Sequence, residues 1–292
     1  MTSQTINSVP PVTILSLMRQ AQRVRATCVQ MAHDSGVGHL GSALSCVDAI
    51  VALYGGWLNV SPHNPTAPGR DRFILSKGHA CAALYAVLAE RGFIPVEWLN
   101  EYACCDKPLS DHPCKHALDV LEMSSGSLGY GLGVAAGMLY GLALKGLRPR
   151  AAVLISDGEC NEGSVWEAAM FAAAHRLEGL VALVDYNGLQ AVARSNDILG
   201  CKSLDRKFRA FGWSARTIDG NNMRQIVDTL NCVPISSGKP TAIILKTIKG
   251  AGVTFMEDKV LWHYRVPSDR DLAEALAELG ETPLHKMNRG CA

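Results

Sequence analysis

Two short polar clusters, Ser156-Asp157-Gly158-Glu159 and Asp185-Tyr186-Asn187-Gly188, hold the residue types most suited to chemistry. Each closes a β-like apolar run, Ala151–Ile155 and Leu180–Val184, and one helical stretch separates them. That order reads as a βαβ unit, whose handedness brings both strand C-termini to the same edge of a parallel sheet, where ligands bind. Asp157 and Asn187 are therefore expected to face one another. A carboxylate and an amide oxygen form a hard-oxygen pair suited to Mg²⁺, which takes few protein ligands and fills its shell with phosphate oxygens and water. The pair reads as a site for Mg²⁺ with a diphosphate. The alternative for the same residues is a nucleotide-type βαβ turn with solvated Asp and Asn at the strand ends.

Four histidines, His39, His79, His112 and His263, fall in predicted loops. Singly, each is more often a surface or satisfied core residue than a functional one, even with an ordinary pKa near 6.5. As a group they differ. The first three lie beside a glycine or proline, and the loops of His79 and His263 follow predicted strands of the sheet that carries Asp157.

The elements that must position these groups can be read from periodicity. Apolar residues Leu15, Met18, Ala21, Val24, Cys28 and Met31 recur at three- and four-residue steps, which predicts an amphipathic helix over Thr13–His33. The glycine-rich run Ser35–Ser42 leads into a second predicted helix, Ala43–Trp57. A short strand, Phe73–Leu75, ends at Ser76-Lys77-Gly78-His79, and a helix is predicted over Ala80–Arg91 and a short one over Pro95–Tyr102. Asp106–Ser125 has no clear period and reads as a long loop, a feature often functional in compact domains. Further on, helices are predicted near Leu204–Phe211, Met223–Leu230 and Asp269–Leu279, and strands at Ser214–Ile218 and Thr241–Lys246. Just past that last strand comes a glycine turn, Thr247–Gly252, which should share the edge of Asp157. The alternation predicts the α/β class, a parallel sheet with helices on both faces.

Composition narrows the function classes. Hydrophobic residues at 48% and charged residues at 19% describe an ordinary soluble globular chain, and 292 residues can bury a sizeable core. A formal net charge of +1 without a basic run gives no support to nucleic-acid or membrane-surface binding. The ten cysteines show no C-x-x-C and no paired spacing that reads as a zinc site, which argues for reduced thiols and a cytoplasmic setting. The stretch Leu128–Leu147 is apolar but glycine-rich throughout, so it is expected to be a buried helix packed closely against another backbone rather than a membrane span. Gly129-Tyr130-Gly131-Leu132-Gly133 lacks a preceding strand and the glycine spacing of a nicotinamide-binding turn.

Asp157-Gly158 followed after 28 residues by Asn187 resembles the diphosphate motif of thiamine diphosphate enzymes, with Ser156 where that pattern begins with Gly. In chain order, SGVGHLGSALS, SKGHA, DHP, SSGSLGYGLG, SDGECNEGSVWEAAM, DYNGLQ, KTIKGAGVTFMED and WH resemble the N-terminal, diphosphate-binding domain of transketolases, from about residue 15 to 265. The resemblance implies one thiamine diphosphate-binding α/β domain over residues 13–280; residues 1–12 read as a flexible N-terminal tail and 281–292 as a C-terminal tail. It implies that Asp157, Asn187 and the main-chain carbonyl of Leu189 hold Mg²⁺ and that the Gly158 N–H, His79, Lys249 and His263 meet the diphosphate, with Ser42 and Gln190 as further contacts. Gly126 and Leu128 would touch the aminopyrimidine, and His39, His112 and His263 would bind the sugar hydroxyls and shuttle protons. Glu162 corresponds to a family glutamate at the subunit interface. Asp111 and Tyr264 stand where the family usually has Gly, which bears on the choice of sugar phosphate.

In that family the carboxylate that contacts the pyrimidine nitrogen belongs to a second domain, which has no counterpart before Ala292. The resemblance therefore implies the diphosphate-binding half of a split transketolase, active with a separate C-terminal, pyrimidine-binding subunit in a two-plus-two hetero-oligomer. The Gly-rich helix would lie at an interface. Two alternatives stand beside this reading: the α subunit of a 2-oxo acid dehydrogenase, and a non-catalytic paralogue that scaffolds or regulates a partner.

Overall fold

The computed structural model describes residues 13–200 and 203–283. The tail expected at 1–12 and residues 284–292 of the one expected at 281–292 lie outside the described residues. Ten α-helices and five strands are described: α1 (Ile14–Ser35), α2 (Leu40–Ser45), α3 (Val47–Ala52), β1 (Arg72–Leu75), α4 (Cys81–Glu90), α5 (Gly131–Leu144), β2 (Ala151–Ser156), α6 (Gly163–Ala174), β3 (Leu180–Tyr186), α7 (Ser195–Ile198), α8 (Leu204–Ala210), β4 (Ser214–Asp219), α9 (Met223–Asn231), β5 (Thr241–Lys246) and α10 (Asp269–Leu279). The strands form one sheet in the order β1-β2-β3-β5-β4, and every pairing is parallel.

Both faces of the sheet are covered, and strand alternation sorts the core into two. Ala152 and Leu154 of β2, with Val181 and Leu183 of β3, join the larger core beneath α1, α3, α4 and α9. Ala151, Val153 and Ile155, with Leu180, Ala182 and Val184, join the smaller core beneath α5, α6 and α8. A strand buried on both sides reads as an unbroken apolar run, which is why β2 and β3 were legible. The helix α10 begins at a reciprocal capping pair, Ser268 with Asp271.

Three expectations are corrected. The single helix Ala43–Trp57 is instead α2, a break at Cys46, α3 and a wide turn over Leu53–Trp57 that ends near Gly56, whose φ is 150°. Side chains capture the carbonyl that the ladder would use: Ser45 Oγ and Lys77 Nζ both donate to the Ser42 carbonyl at 3.0 Å. The Gly-rich helix is not buried all round. Leu132, Ala135, Ala136 and Leu139 face the core, while a Cβ built on Gly137 or Gly141 would meet nothing within 4 Å, and Leu144 is exposed. Close packing is confined to its start, where a Cβ on Gly131 would fall 2.5 Å from Ser76 Cβ. Finally, Cys28, Cys46, Cys81 and Cys160 are buried free thiols, but Cys104 is disulfide-bonded, a bridge that no paired spacing announced.

No helix among the described residues is long and apolar enough to cross a membrane. The two kinds of glycine in α5 make opposite predictions. Gly131→Ala should cost about 1–3 kcal/mol through overpacking, whereas Gly137→Ala should stabilise by about 0.5–1 kcal/mol, because alanine removes backbone entropy at no steric cost. Urea denaturation of the two variants checks both signs.

Candidate active site

Parallel register places the ends of β1, β2, β3 and β5 along one edge, and the chain leaves each through a polar turn. After β2, Asp157 is buried, and its carboxylate accepts the N–H groups of Gly158 at 2.9 Å and Gly188 at 3.0 Å and the Ser195 hydroxyl at 2.7 Å. Burial raises its pKa above the ordinary carboxylate value, a shift opposed by the Ser195 and Gly158 hydrogen bonds. After β3, Asn187 Oδ1 accepts the Leu189 N–H at 3.0 Å, and its Nδ2 donates to Asp185 at 3.2 Å. The two expected ligands therefore belong to one system of turns, tied through Gly188. The Leu189 carbonyl lies 3.4 Å from Lys249 Nζ.

The loop that follows β5 closes over this system. Lys249, buried, donates to the Gln190 carbonyl at 3.2 Å and lies 2.9 Å from His263 Nδ1. Gly250 donates its N–H to the Gly41 carbonyl at 2.9 Å, which staples the loop to the start of α2. His39 caps α2 in the left-handed region, with φ 66°, and its N–H donates to the His263 carbonyl at 2.6 Å. A non-glycine residue held there costs on the order of 1–3 kcal/mol, strain that persists only when the surroundings enforce it. The enforcement is visible: a Cβ on Gly38 would lie 2.8 Å from the Tyr264 carbonyl, and one on Gly41 would lie 3.1 Å from that of Trp262.

The four histidines do converge. His39 is central, with ring centroids 4.9 Å from His263, 5.4 Å from His79 and 6.0 Å from His112, and Tyr264 stacks edge-on against His263 at 4.6 Å. His112 is carried in by the long loop, whose turn is held by Ser110 Oγ and the Tyr85 hydroxyl, both donating to the His112 carbonyl. Burial, reinforced by neighbouring positive charge, pushes His39 down and His79 well down; His263 falls to about 3, driven by burial and then by Lys249. Burial and the Lys77 ammonium bring Lys249 to about 8. His39, His79 and His263 thus offer neutral imidazoles, each able to donate and accept.

Three buried polar atoms without a partner among the described residues belong here: His39 Nδ1, Gln190 Nε2 and Ser125 Oγ. Gln190 borders the turn after β2, where a Cβ on Gly158 would lie 3.1 Å from its Cδ, and Ser125 borders the turn after β1, where a Cβ on Gly78 would lie 2.7 Å from its Oγ. Unmade hydrogen bonds together with two buried ammonium groups fit an anionic, polar ligand. The Asp157 carboxylate, Asn187 amide oxygen and Leu189 carbonyl are hard oxygen donors, the chemistry that Mg²⁺ takes.

Comparison with known proteins then decides the family. Residues 17–288 match the model described as "Transketolase, thiamine diphosphate binding domain". The chain belongs to the transketolase family. It is 40% identical over 264 residues, 90% of its own length and 95% of the other's, to a protein from Actinobacillus succinogenes named as a subunit of an apulose-4-phosphate transketolase. It is 38% identical, over 91% of its length and 96% of the other's, to the 6-deoxy-6-sulfo-D-fructose transketolase subunit SqwG from a Clostridium species. Superposed on the transketolase of Campylobacter jejuni it gives a TM-score of 0.86 at 26% identity, covering 93% of this chain and 44% of that one. The chain thus corresponds to the thiamine diphosphate-binding part of a full transketolase, and the 2-oxo acid dehydrogenase alternative is set aside.

Within this transketolase domain, Ser42 is buried beneath the site with its carbonyl on Lys77, and Gly126 lies beside His112, 3.7 Å from its Cδ2 if given a Cβ. Leu128 is half-buried and precedes the close approach of Gly129 to Glu162. Glu162 is exposed at the N-terminus of α6 and is not among the groups that converge with the histidines. Four residues were not singled out from sequence. Lys77 and Asp185 form a fully buried ion pair, Ser195 binds Asp157, and Glu159, also fully buried, accepts the Ser76 hydroxyl and the Gly129 N–H. Lys77 and Asp185 stand inside the family-like motifs, so a buried lysine at a strand end was a usable signal; Ser195 gave none.

The depressed histidine sets a pH window. The unfolded chain binds the His263 proton near 6.5 and the folded chain near 3, so this group's contribution to stability is present above 6.5 and is lost as pH falls through that interval. Lys249→Met should raise the His263 pKa yet leave it below the ordinary value, because burial remains. An imidazole NMR titration of the variant reads the shift.

Proposed function

We propose that this chain is the diphosphate-binding subunit of a two-subunit, cytoplasmic transketolase that transfers a two-carbon ketol unit from a ketose, free or phosphorylated, to an aldose acceptor. The observation that carries the reading is the convergence of His39, His79, His112 and His263 on the edge that holds Asp157 and Asn187. Relatives of matching length named as transketolase subunits, one of them for apulose-4-phosphate and one for 6-deoxy-6-sulfo-D-fructose, support a separate partner and sugar substrates with an anionic tail.

Asp157, Asn187 and the Leu189 carbonyl would hold Mg²⁺, and the Gly158 N–H, His79, Lys249, His263 and Ser42 would meet the diphosphate, with Gln190 closing that turn and Gly126 and Leu128 against the aminopyrimidine. When bound, thiamine diphosphate supplies the nucleophilic carbon and the electron sink for breaking and making the C–C bond. The residues of this chain do the rest. His39 and His263, which burial keeps neutral, and His112 hydrogen-bond the sugar hydroxyls and pass a proton to or from them as the bond changes. Lys249, buried, and His79, half-buried beside it in the same turn system, would shield the diphosphate end from water. The partner subunit would supply the carboxylate for the pyrimidine nitrogen in a two-plus-two assembly, with the open face of α5 and Glu162 at an interface.

Calorimetric titration of thiamine diphosphate and Mg²⁺ should show weak binding to this chain alone and tight binding once the partner subunit is present. Tight binding to the single chain would contradict a site completed across two chains. In the assembled enzyme Asp157→Ala should abolish Mg²⁺-dependent cofactor retention, and His263→Ala should slow turnover by roughly 10²-fold or more with the cofactor retained; unchanged retention in the Asp157 variant would sink the metal assignment.

A further inference from the structure

We propose that the buried Lys77–Asp185 pair is a positioning device that sets which way the Asn187 carboxamide points, and thereby whether Asn187 presents an oxygen or an NH₂ group to the metal ion. The inference rests on the functional reading above and names residues that the reading leaves without a role.

Asp185 is an acid two residues before Asn187 at the same strand end, so by type and place it could itself be a metal ligand. Its oxygens are already taken. Oδ2 accepts Lys77 Nζ, the Ser45 hydroxyl at 2.6 Å and Asn187 Nδ2 at 3.2 Å, and Oδ1 accepts the Thr247 hydroxyl. Both Asp185 and Lys77 are fully buried. Lys77 leaves the end of β1, and Asp185 lies next to the end of β3, so their contact spans the end of β2, which carries Asp157. Lys77 also donates to the Ser42 carbonyl, which ties the start of α2 to the same point.

A carboxamide has two faces of nearly equal shape and opposite polarity. In the observed orientation Nδ2 points to Asp185 and Oδ1 accepts the Leu189 N–H. Turned over, the amide would set Oδ1 against the carboxylate and Nδ2 against an N–H, two like-polarity contacts in place of two hydrogen bonds. An ionised carboxylate accepts only, so it tolerates one orientation. Lys77 gives that buried charge its counterion, without which the carboxylate would be costly to keep. The arrangement is an outer partner that orients a ligand, a role whose removal typically weakens metal binding by about 10–100-fold.

The test uses the assembled two-subunit protein with thiamine diphosphate and Mn²⁺ as the spectroscopic stand-in for Mg²⁺, with free Mn²⁺ read by electron paramagnetic resonance and folding by circular dichroism. Lys77→Met/Asp185→Asn removes both charges together, so no lone buried ion remains, and it lets residue 185 donate as well as accept. It should fold and bind Mn²⁺ at least tenfold more weakly. The exchange variant Lys77→Met/Asp185→Asn/Asn187→Asp again leaves no lone buried ammonium, puts a carboxylate, which has no wrong orientation, at position 187 and should recover most of the lost affinity. Wild-type affinity in a folded Lys77→Met/Asp185→Asn protein, or an exchange variant as weak as that protein, overturns the proposal. If the first variant does not fold, Lys77→Met/Asp185→Leu, an apolar pair in its place, should show the same tenfold loss, and wild-type affinity there overturns the proposal. Failure of the wild-type assembly to take up Mn²⁺ would overturn the functional reading itself.

Discussion

The edge of the sheet depends on one fully buried ion pair, Lys77 with Asp185. Its carboxylate gathers groups from the ends of β3 and β5 and from α2, and its ammonium comes from the end of β1. Such a pair contributes little to stability compared with an apolar replacement, yet loss of a single partner costs about 3–5 kcal/mol, because it leaves a buried charge alone. Its value lies in specification. Desolvation would lower the Lys77 pKa, but the attraction of Asp185 opposes it and the pKa is raised, so the charges hold each other in place.

Around that point the site is built against its own comfort. Burial and mutual repulsion depress Lys249, His263, His79 and His39, and His39 sits in a left-handed backbone conformation. Each of these costs folding free energy. Together they describe a pocket preorganised for something anionic, with neutral imidazoles beside it, and the unpartnered atoms of His39, Gln190 and Ser125 belong to the same region. The rest of the fold supplies rigidity in return: a five-stranded parallel sheet with an apolar core on each face.

The sequence was most legible where a strand is buried on both sides. β5 and α10 fall on the predicted residues, and β2 and β3 differ only at their polar ends. The reading failed at Ala43–Trp57, where apolar periodicity continues but buried side chains take the Ser42 carbonyl and break the helix at Cys46. It failed again at α5, since glycine supplies no side chain to mark which face meets a neighbour. The open face there, with exposed Leu144 and Met170 and partly exposed Phe171 nearby, is a tertiary fact.

By itself the sequence determined the βαβ order, the strand ends that carry Asp157 and Asn187, and the four loop histidines, because residue type and period act locally along the chain. It could not decide which polar groups meet. Asp185 and Asn187 stand two residues apart at one strand end, and only the fold shows that Lys77, Ser45 and Thr247 occupy the oxygens of the first while Asn187 Nδ2 donates to it. Nor could it show that His39 lies at the centre of the cluster, since its neighbours come from residues 79, 112 and 263. Burial, charge and hydrogen-bond partners are properties of contacts between distant segments, and those contacts exist only once the sheet has aligned the strand ends.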